Sequence, residues 1–238
     1  MAIRAMRQWE VEHRGRTDGP VALVAALKRE LRPARRKIGD GAIYLAMGMG
    51  QEGVKANLQA LLEREKPRML ILTGFAGGLK SELQSGELVL AEGFLRSGVG
   101  EIQVNQRLYS EAVEALGPDI HRGRLLTVAR PASSAEKNRL GRDFPALAVE
   151  MEGWWTAALA QEAGLPLLCL KAILDPVDRA LPQFINKVRA TGGPTLSAWA
   201  SLLKSPKGLP ELLWLAQAAQ RAGVALASAL SRLVEHFG

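Results

Sequence analysis

Three acidic side chains stand at the ends of apolar segments, which is where α/β enzymes place their chemistry. Glu152 follows the segment 148–151, Asp175 ends the apolar run 165–174, and Glu30 comes shortly after the apolar segment that begins at Pro20. A buried core does not tolerate such charges unless they are paired. Cleavage of a glycosidic bond needs carboxyl groups to activate the nucleophile, bind sugar hydroxyls and protonate the leaving group. The residues alone do not assign these three roles.

Two glycine-rich segments follow predicted strands. Residues 48–53 match G-x-G-x-x-G, but the next strand ends in Gly74 and lacks the acidic residue that a dinucleotide fingerprint requires. A tight turn or close approach to a small ligand is therefore the favoured interpretation. Residues 73–79 contain three glycines, which is more than a plain turn needs, and they predict a ligand cradle.

The elements that must position these residues alternate between strands and helices. This alternation indicates an α/β fold with a mixed central β-sheet flanked by helices. A length of 238 residues and a hydrophobic content of 47% suit a single domain, expected at 20–238 after a polar N-terminal extension at 1–19. We expect strands at 20–26, 42–47, 69–73, 87–93, 124–129 and 165–174, and helices at 28–37 (interrupted by Pro33), 54–66, 110–116 and 152–163.

The C-terminal part is expected to be helical, with breaks at 192–194 and 205–208. Residues 209–237 carry an apolar stripe at helical spacing, from Leu212 to Leu233. Packing of this helix on its own domain is the favoured interpretation. A subunit contact and a membrane-surface helix are the alternatives.

Composition excludes several classes of protein. The single cysteine, Cys169, excludes a disulfide framework and favours a reducing cytoplasm, and its place inside an apolar run is typical of an inert core residue. The three histidines are isolated, so neither a metal nor a cofactor is expected. The net charge of +7 is concentrated in residues 1–40 without interleaved aromatic residues, and no nucleic-acid partner is expected.

Five blocks of the sequence carry a family resemblance, in the order 26–31, 48–50, 73–79 with 85–89, 149–153 and 171–175. Together they resemble the nucleoside phosphorylase superfamily, and within it the methylthioadenosine/S-adenosylhomocysteine nucleosidases. The resemblance covers roughly residues 20–185 and implies a nucleoside phosphorylase-like fold. From residue 175 through Pro182 and the late helices, the chain is more similar to hopanoid-associated phosphorylase-like proteins.

The resemblance implies a role for each acid. Glu152 would bind the ribose 2′- and 3′-hydroxyls, with Met151 packed against the sugar. Asp175 would hydrogen-bond the purine N7 and help to protonate the leaving base, while Glu30 would activate water. Carboxylates stabilise the oxocarbenium-like ribose that forms as the bond breaks. Further substrate contacts are implied for Phe75, Ala76, Gly77 and Lys171.

Departures from the family pattern bear on the nucleophile. Leu72 and Phe75 stand where phosphorylases of the superfamily usually carry an Arg and a Ser for phosphate, which favours water. Against this, Lys28, Arg29 and Arg32 surround the start of the first helix, where an anion could bind. Relative to the nucleosidases, Lys171 replaces an Arg, Leu174 replaces a Ser, and Phe75 replaces a small residue.

The resulting expectation is a cytoplasmic, homodimeric nucleosidase that releases adenine from an adenosine-type nucleoside. Two alternatives remain open. One is a phosphate-dependent phosphorylase acting on an adenosylated substrate such as a hopanoid. The other is a catalytically weak relative that binds nucleosides.

Overall fold

Eight strands form one mixed sheet in the computed structural model, which describes residues 19–181 and 208–238. Helices cover both faces of this sheet within the described ranges. The strands are β1 (Val21–Ala25), β2 (Ile43–Ala46), β3 (Met69–Gly78), β4 (Leu88–Arg96), β5 (Gly100–Gln103), β6 (His121–Thr127), β7 (Ala148–Glu150) and β8 (Leu167–Asp175). The helices are α1 (Lys28–Ile38), α2 (Gly50–Glu65), α3 (Gln106–Leu116), α4 (Ser134–Asp143), α5 (Gly153–Glu162) and α6 (Gly208–Phe237).

The strand pairings form a closed ring of five strands that includes β3. Strand β8 pairs with β3 in parallel and with β4 antiparallel, and the ring returns to β3 through β6 and β7. On its other edge, β3 pairs first with β1 and then, at Gly77 and Gly78, with β7. The second half of β3 therefore lies between β7 and β8, the two strands that carry or precede the predicted acids.

Two apolar layers hold the sheet from either side. One contains Val54 and Leu58 of α2 with Ala157 of α5, and the other contains Leu31 of α1 with Leu226 of α6. Strands β1 and β8 are buried at every position, as expected for apolar runs in a sheet covered on both faces. The predicted mixed α/β architecture is confirmed.

Helix α6 packs on its own domain. Its apolar stripe, including Leu226, Leu230 and Leu233, is buried against the same layer as α1 and β8. None of the helices within the described residues is long and apolar enough to cross a membrane. The break predicted at 192–194 lies outside the described residues. So do residues 205–207 of the break predicted at 205–208 and residues 1–18 of the extension predicted at 1–19.

Two local predictions were wrong. Helix α1 runs through Pro33 without interruption. Pro33 removes the hydrogen bond to the carbonyl of Arg29, and α6 packs against the proline ring at Gly223, where an added Cβ would meet Cγ of Pro33 at 3.1 Å. The strand predicted to end at residue 73 continues through the glycine-rich segment, since β3 ends at Gly78. Two strands, β5 and β7, and helix α4 were not predicted from the sequence.

Candidate active site

A cleft of about 940 Å³, counting the space open to solvent, lies at the ends of β3, β7 and β8 beside the start of α1. Seven of the eight predicted site residues line it. These seven are Glu30, Phe75, Ala76, Gly77, Met151, Glu152 and Asp175. Lys171 is the exception, as described below.

Strand β3 forms the floor of the cleft. Gly77 is paired with Val149 on one side and with Asp175 on the other. A Cβ at Gly77 would lie 3.3 Å from Oδ2 of Asp175 and 3.3 Å from Cγ1 of Val149. Because Gly77 has no side chain, the carboxyl group of Asp175 can pack against β3. The glycines expected to form a ligand cradle belong to the sheet, and Gly77 lines the cleft.

Glu30 is buried in the first turn of α1 and accepts two backbone hydrogen bonds. Its Oε2 accepts from the N–H of Leu27 at 2.8 Å, and its Oε1 accepts from the N–H of Phe75 at 3.3 Å. The first bond is one half of a capping box and satisfies a donor at the helix start. The second bond ties Glu30 to β3. A Cβ at Gly74, whose φ is +118°, would lie 3.1 Å from the carboxyl carbon of Glu30.

Glu152 is buried at the start of α5 and reaches into the cleft. Its Oε1 accepts a 2.9 Å hydrogen bond from the N–H of Gly50, which opens α2. Burial raises the pKa of Glu152 to about 7, and the charges of Glu150 and Glu30 add to the rise. Lys171 and the Gly50 N–H oppose it. A change of protonation near neutral pH is a property often found in functional carboxyl groups.

Asp175 ends β8 and is paired with a lysine that the sequence analysis did not single out. Nζ of Lys137 on α4 lies 2.7 Å from Oδ2 of Asp175 and 3.0 Å from its carbonyl oxygen. The same ammonium group donates to the carbonyl oxygens of Pro176 and Arg179. Lys137 has no exposed surface, and Asp175 is 5% exposed. The pair is a buried ion pair with a complete set of acceptors for the lysine.

Glu150 and Lys171 form a second buried pair, behind the cleft. Nζ of Lys171 lies 3.6 Å from Oε2 of Glu150 and donates to the carbonyl oxygen of Thr73. Glu150 also accepts from the Thr127 hydroxyl at 2.6 Å and from the N–H groups of Glu152 and Gly153. Burial disfavours the charged lysine, but Glu150 and its neighbours outweigh this and raise the pKa of Lys171.

The placement of Lys171 differs from the expected substrate contact. Its side chain is 1% exposed and its ammonium group faces the protein interior. Glu150 orders the turn from β7 into α5 and so sets the position of Glu152. Lys171 supports that turn through Glu150.

Other candidate groups contribute less. Among the three basic residues at the start of α1, Arg29 lines the cleft, whereas Lys28 and Arg32 are exposed outside its lining. Burial raises the pKa of the Cys169 thiol, which makes it a poor nucleophile. No group of three or more His, Cys, Asp or Glu side chains in the described ranges could hold a metal ion.

Lys137 was missed because a single lysine in a charged stretch gives no sign of burial. A local signal was present. Ser133 and Glu136 form a capping box that starts α4, with the Glu136 N–H donating to the Ser133 hydroxyl oxygen. This box places Lys137 on the first turn of the helix. Recognising it would have predicted α4, although not the contact with Asp175.

Comparison with known proteins agrees with this geometry. The sequence model of the phosphorylase superfamily matches residues 20–193, and the chain belongs to this superfamily. It is 25% identical over 164 residues to the 5′-methylthioadenosine/S-adenosylhomocysteine nucleosidase of Haemophilus influenzae, covering 59% of this chain and 70% of that protein.

Two solved structures share the fold. The MTA/SAH nucleosidase of Streptococcus pneumoniae, in complex with 8-aminoadenine, has a TM-score of 0.69 at 18% identity, covering 91% of this chain and 99% of that one. The futalosine hydrolase of Helicobacter pylori has a TM-score of 0.71 at 16% identity, covering 91% and 97%. The chain is thus an enzyme of this superfamily, and the relatives named above are nucleosidases, as the sequence indicated.

Proposed function

We propose that this protein hydrolyses the N-glycosidic bond of an adenosine-type nucleoside and releases adenine. The observation that carries the proposal is the convergence of Glu30, Glu152 and Asp175 in one cleft. These acids come from three distant parts of the chain, and each is held by a backbone or charged partner. Preorganised charge of this kind stabilises a cationic sugar more effectively than mobile water does.

Each acid takes a separate role in the proposed reaction. Glu152, bound to the N–H of Gly50, accepts hydrogen bonds from the ribose 2′- and 3′-hydroxyls. Asp175 hydrogen-bonds N7 of the purine and helps to protonate the base as the C1′–N9 electron pair moves onto it. Glu30 takes the proton of the water that adds to C1′. Met151 packs against the sugar, and Phe75 narrows the space beside it.

Water is favoured over phosphate as the nucleophile. Leu72 is fully buried and apolar, so the position where phosphorylases usually hold an Arg offers no cation. Phe75 likewise offers no hydroxyl group. The phosphorylase alternative rests on Arg29, which lines the cleft one residue from Glu30 and could pair with an anion.

The group at the ribose 5′ position is proposed to be apolar. Leu181 lines the cleft beside Leu215 and Ala219 of α6, so an apolar wall continues away from the three acids. Such a wall suits a thioether or a longer hydrocarbon substituent better than a charged one.

A homodimer is the proposed assembly, and sedimentation velocity would test it.

Release of free base, measured chromatographically, tests the proposal. The panel contains methylthioadenosine, S-adenosylhomocysteine, adenosine and futalosine, each with and without phosphate. We expect adenine release in phosphate-free buffer, and a loss of at least about 100-fold in Asp175→Asn. Strict dependence on phosphate would establish the phosphorylase instead. Absence of release from every nucleoside, in protein that binds adenine, would establish a binding relative.

A further inference from the structure

The reaction proposed above assigns no role to Lys137. It is on α4, far in sequence from Asp175, yet its ammonium group contacts the Asp175 carboxylate at 2.7 Å. Burying a lysine is unfavourable unless its charge is paired and its N–H groups are bonded. Here the carboxylate and the carbonyl oxygens of Asp175, Pro176 and Arg179 supply those partners. The protein therefore maintains a charged group directly behind the proposed acid.

The surroundings of the pair are shaped to keep it in place. A Cβ at Gly77 would lie 3.3 Å from Cδ of Lys137 and 3.3 Å from Oδ2 of Asp175, so only glycine leaves both side chains unhindered. The carbonyl contacts also fix the turn 175–179 that leaves β8. Lys137 thus sets both the direction of the Asp175 side chain and the course of the chain after it.

We infer that Lys137 is a positioning residue for departure of the base, and that it supplies the proton which Asp175 passes to N7. This inference rests on the proposed function. A carboxylate paired with an ammonium group carries no proton of its own to donate, so the proton must reach it from a neighbour. Lys137 is in direct contact and meets that need.

The step balances in protons and charge. As the C1′–N9 bond breaks, its electron pair moves onto the base, N7 takes a proton from Asp175, and Asp175 takes one from Nζ of Lys137. The products are a neutral base, an uncharged amine and the ribose oxocarbenium ion. Water adds to C1′ and gives a proton to Glu30. Glu30 then releases this proton to solvent, and solvent returns one proton to Lys137, which restores the starting state. The carbonyl oxygens hold the amine through its two remaining N–H bonds.

Dependence on the leaving group separates this role from a purely structural one. Lys137→Met keeps the length of the side chain and removes its proton. We expect kcat for methylthioadenosine to fall by about 100-fold or more. A 4-nitrophenyl riboside with the same 5′ substituent leaves without protonation, and its kcat should change by less than about 3-fold. Lys80→Met is the matched control, since Lys80 also donates a hydrogen bond to α4, at the carbonyl oxygen of Gly141, and is not part of the cleft lining.

Calorimetric binding gives a readout that does not require turnover. Wild type should bind adenine more tightly than 7-deazaadenine, which lacks N7, and Lys137→Met should lose that preference. An equal loss of kcat for methylthioadenosine and for the 4-nitrophenyl riboside in Lys137→Met, with the preference for adenine over 7-deazaadenine retained, would overturn the inference. Lys137 would then have a purely structural role. Unchanged kinetics would overturn it as well. If wild type released no base, the proposed function would fail, and the N7 preference would still decide the role of Lys137.

Discussion

The backbone N–H of Gly50 donates a 2.9 Å hydrogen bond to Oε1 of Glu152, linking residues that are 102 positions apart. This contact explains why residues 48–53 match a dinucleotide pattern without its acidic partner. Gly48 and Gly50 both have positive φ values, of 87° and 67°, which glycine adopts without strain. The glycines shape a turn whose N–H group holds an acid of the proposed site.

The stability of the protein should depend on the ionisation of Glu152. Its pKa rises from an ordinary value of 4.5 to about 7 on folding, chiefly through burial. The folded state therefore holds a proton that the unfolded chain has lost, and this stabilisation disappears as pH rises between those values. Each pKa unit corresponds to about 1.4 kcal/mol.

Glu152→Gln tests that dependence through urea denaturation at pH 5 and pH 8. The substitution removes the titrating group. From pH 5 to pH 8, we therefore expect the free energy of unfolding of the wild type to fall by about 2–3 kcal/mol more than that of the variant. Parallel pH profiles for the two proteins would contradict the assigned shift.

The same ionisation should control substrate affinity. A charged carboxylate accepts hydrogen bonds from ribose hydroxyls more strongly than a neutral one does. We expect KM to fall as pH rises through about 7 in wild type. In Glu152→Gln, KM should show no such step, and kcat/KM should be about 10- to 100-fold lower. A 2′,3′-dideoxy substrate analogue is the control, because its binding should be insensitive to the substitution.

Gly74→Ala should displace Glu30. The added Cβ would meet the Glu30 carboxyl carbon at 3.1 Å, at a backbone φ of +118° that side chains rarely adopt. Gly100→Ala is a matched control, with a φ of +137° and open space around its Cβ. Both variants should lose about 1 kcal/mol or more of stability to backbone strain. Only Gly74→Ala should lower kcat, by about 10-fold or more. Equal kcat values in the two variants would argue against the role of Glu30.

Lys171→Met should affect folding more than substrate binding. Removing one partner of a buried ion pair typically destabilises a protein by about 3–5 kcal/mol, since the remaining charge is left buried. Urea denaturation should show this loss for Lys171→Met, and Glu150→Gln in the same chain should recover part of it. Unchanged stability combined with a large rise in KM would instead return Lys171 to the substrate contact first expected from the sequence.

The sequence predicted the strands and helices whose patterns are local. Apolar runs marked β1, β3 and β8. The spacing of Val54, Leu58, Leu61 and Leu62 marked the apolar face of α2, on which Leu62 is only partly buried. The acids could be placed because each one lies at, or shortly after, the end of an apolar segment. Short strand β7 was missed because three residues carry too little pattern. Both buried ion pairs were missed because each joins side chains on different elements, which spacing along one element cannot reveal.

The measurement closest to the central claim is a crystal structure of Asp175→Asn, prepared as a slow variant, with methylthioadenosine in the cleft. We predict that N7 of the purine lies within hydrogen-bond distance of residue 175 and that the ribose 2′- and 3′-hydroxyls contact Glu152. Glu30 should face a water molecule near C1′. A purine bound outside this cleft, or a ribose whose hydroxyls point away from Glu152, would contradict the account.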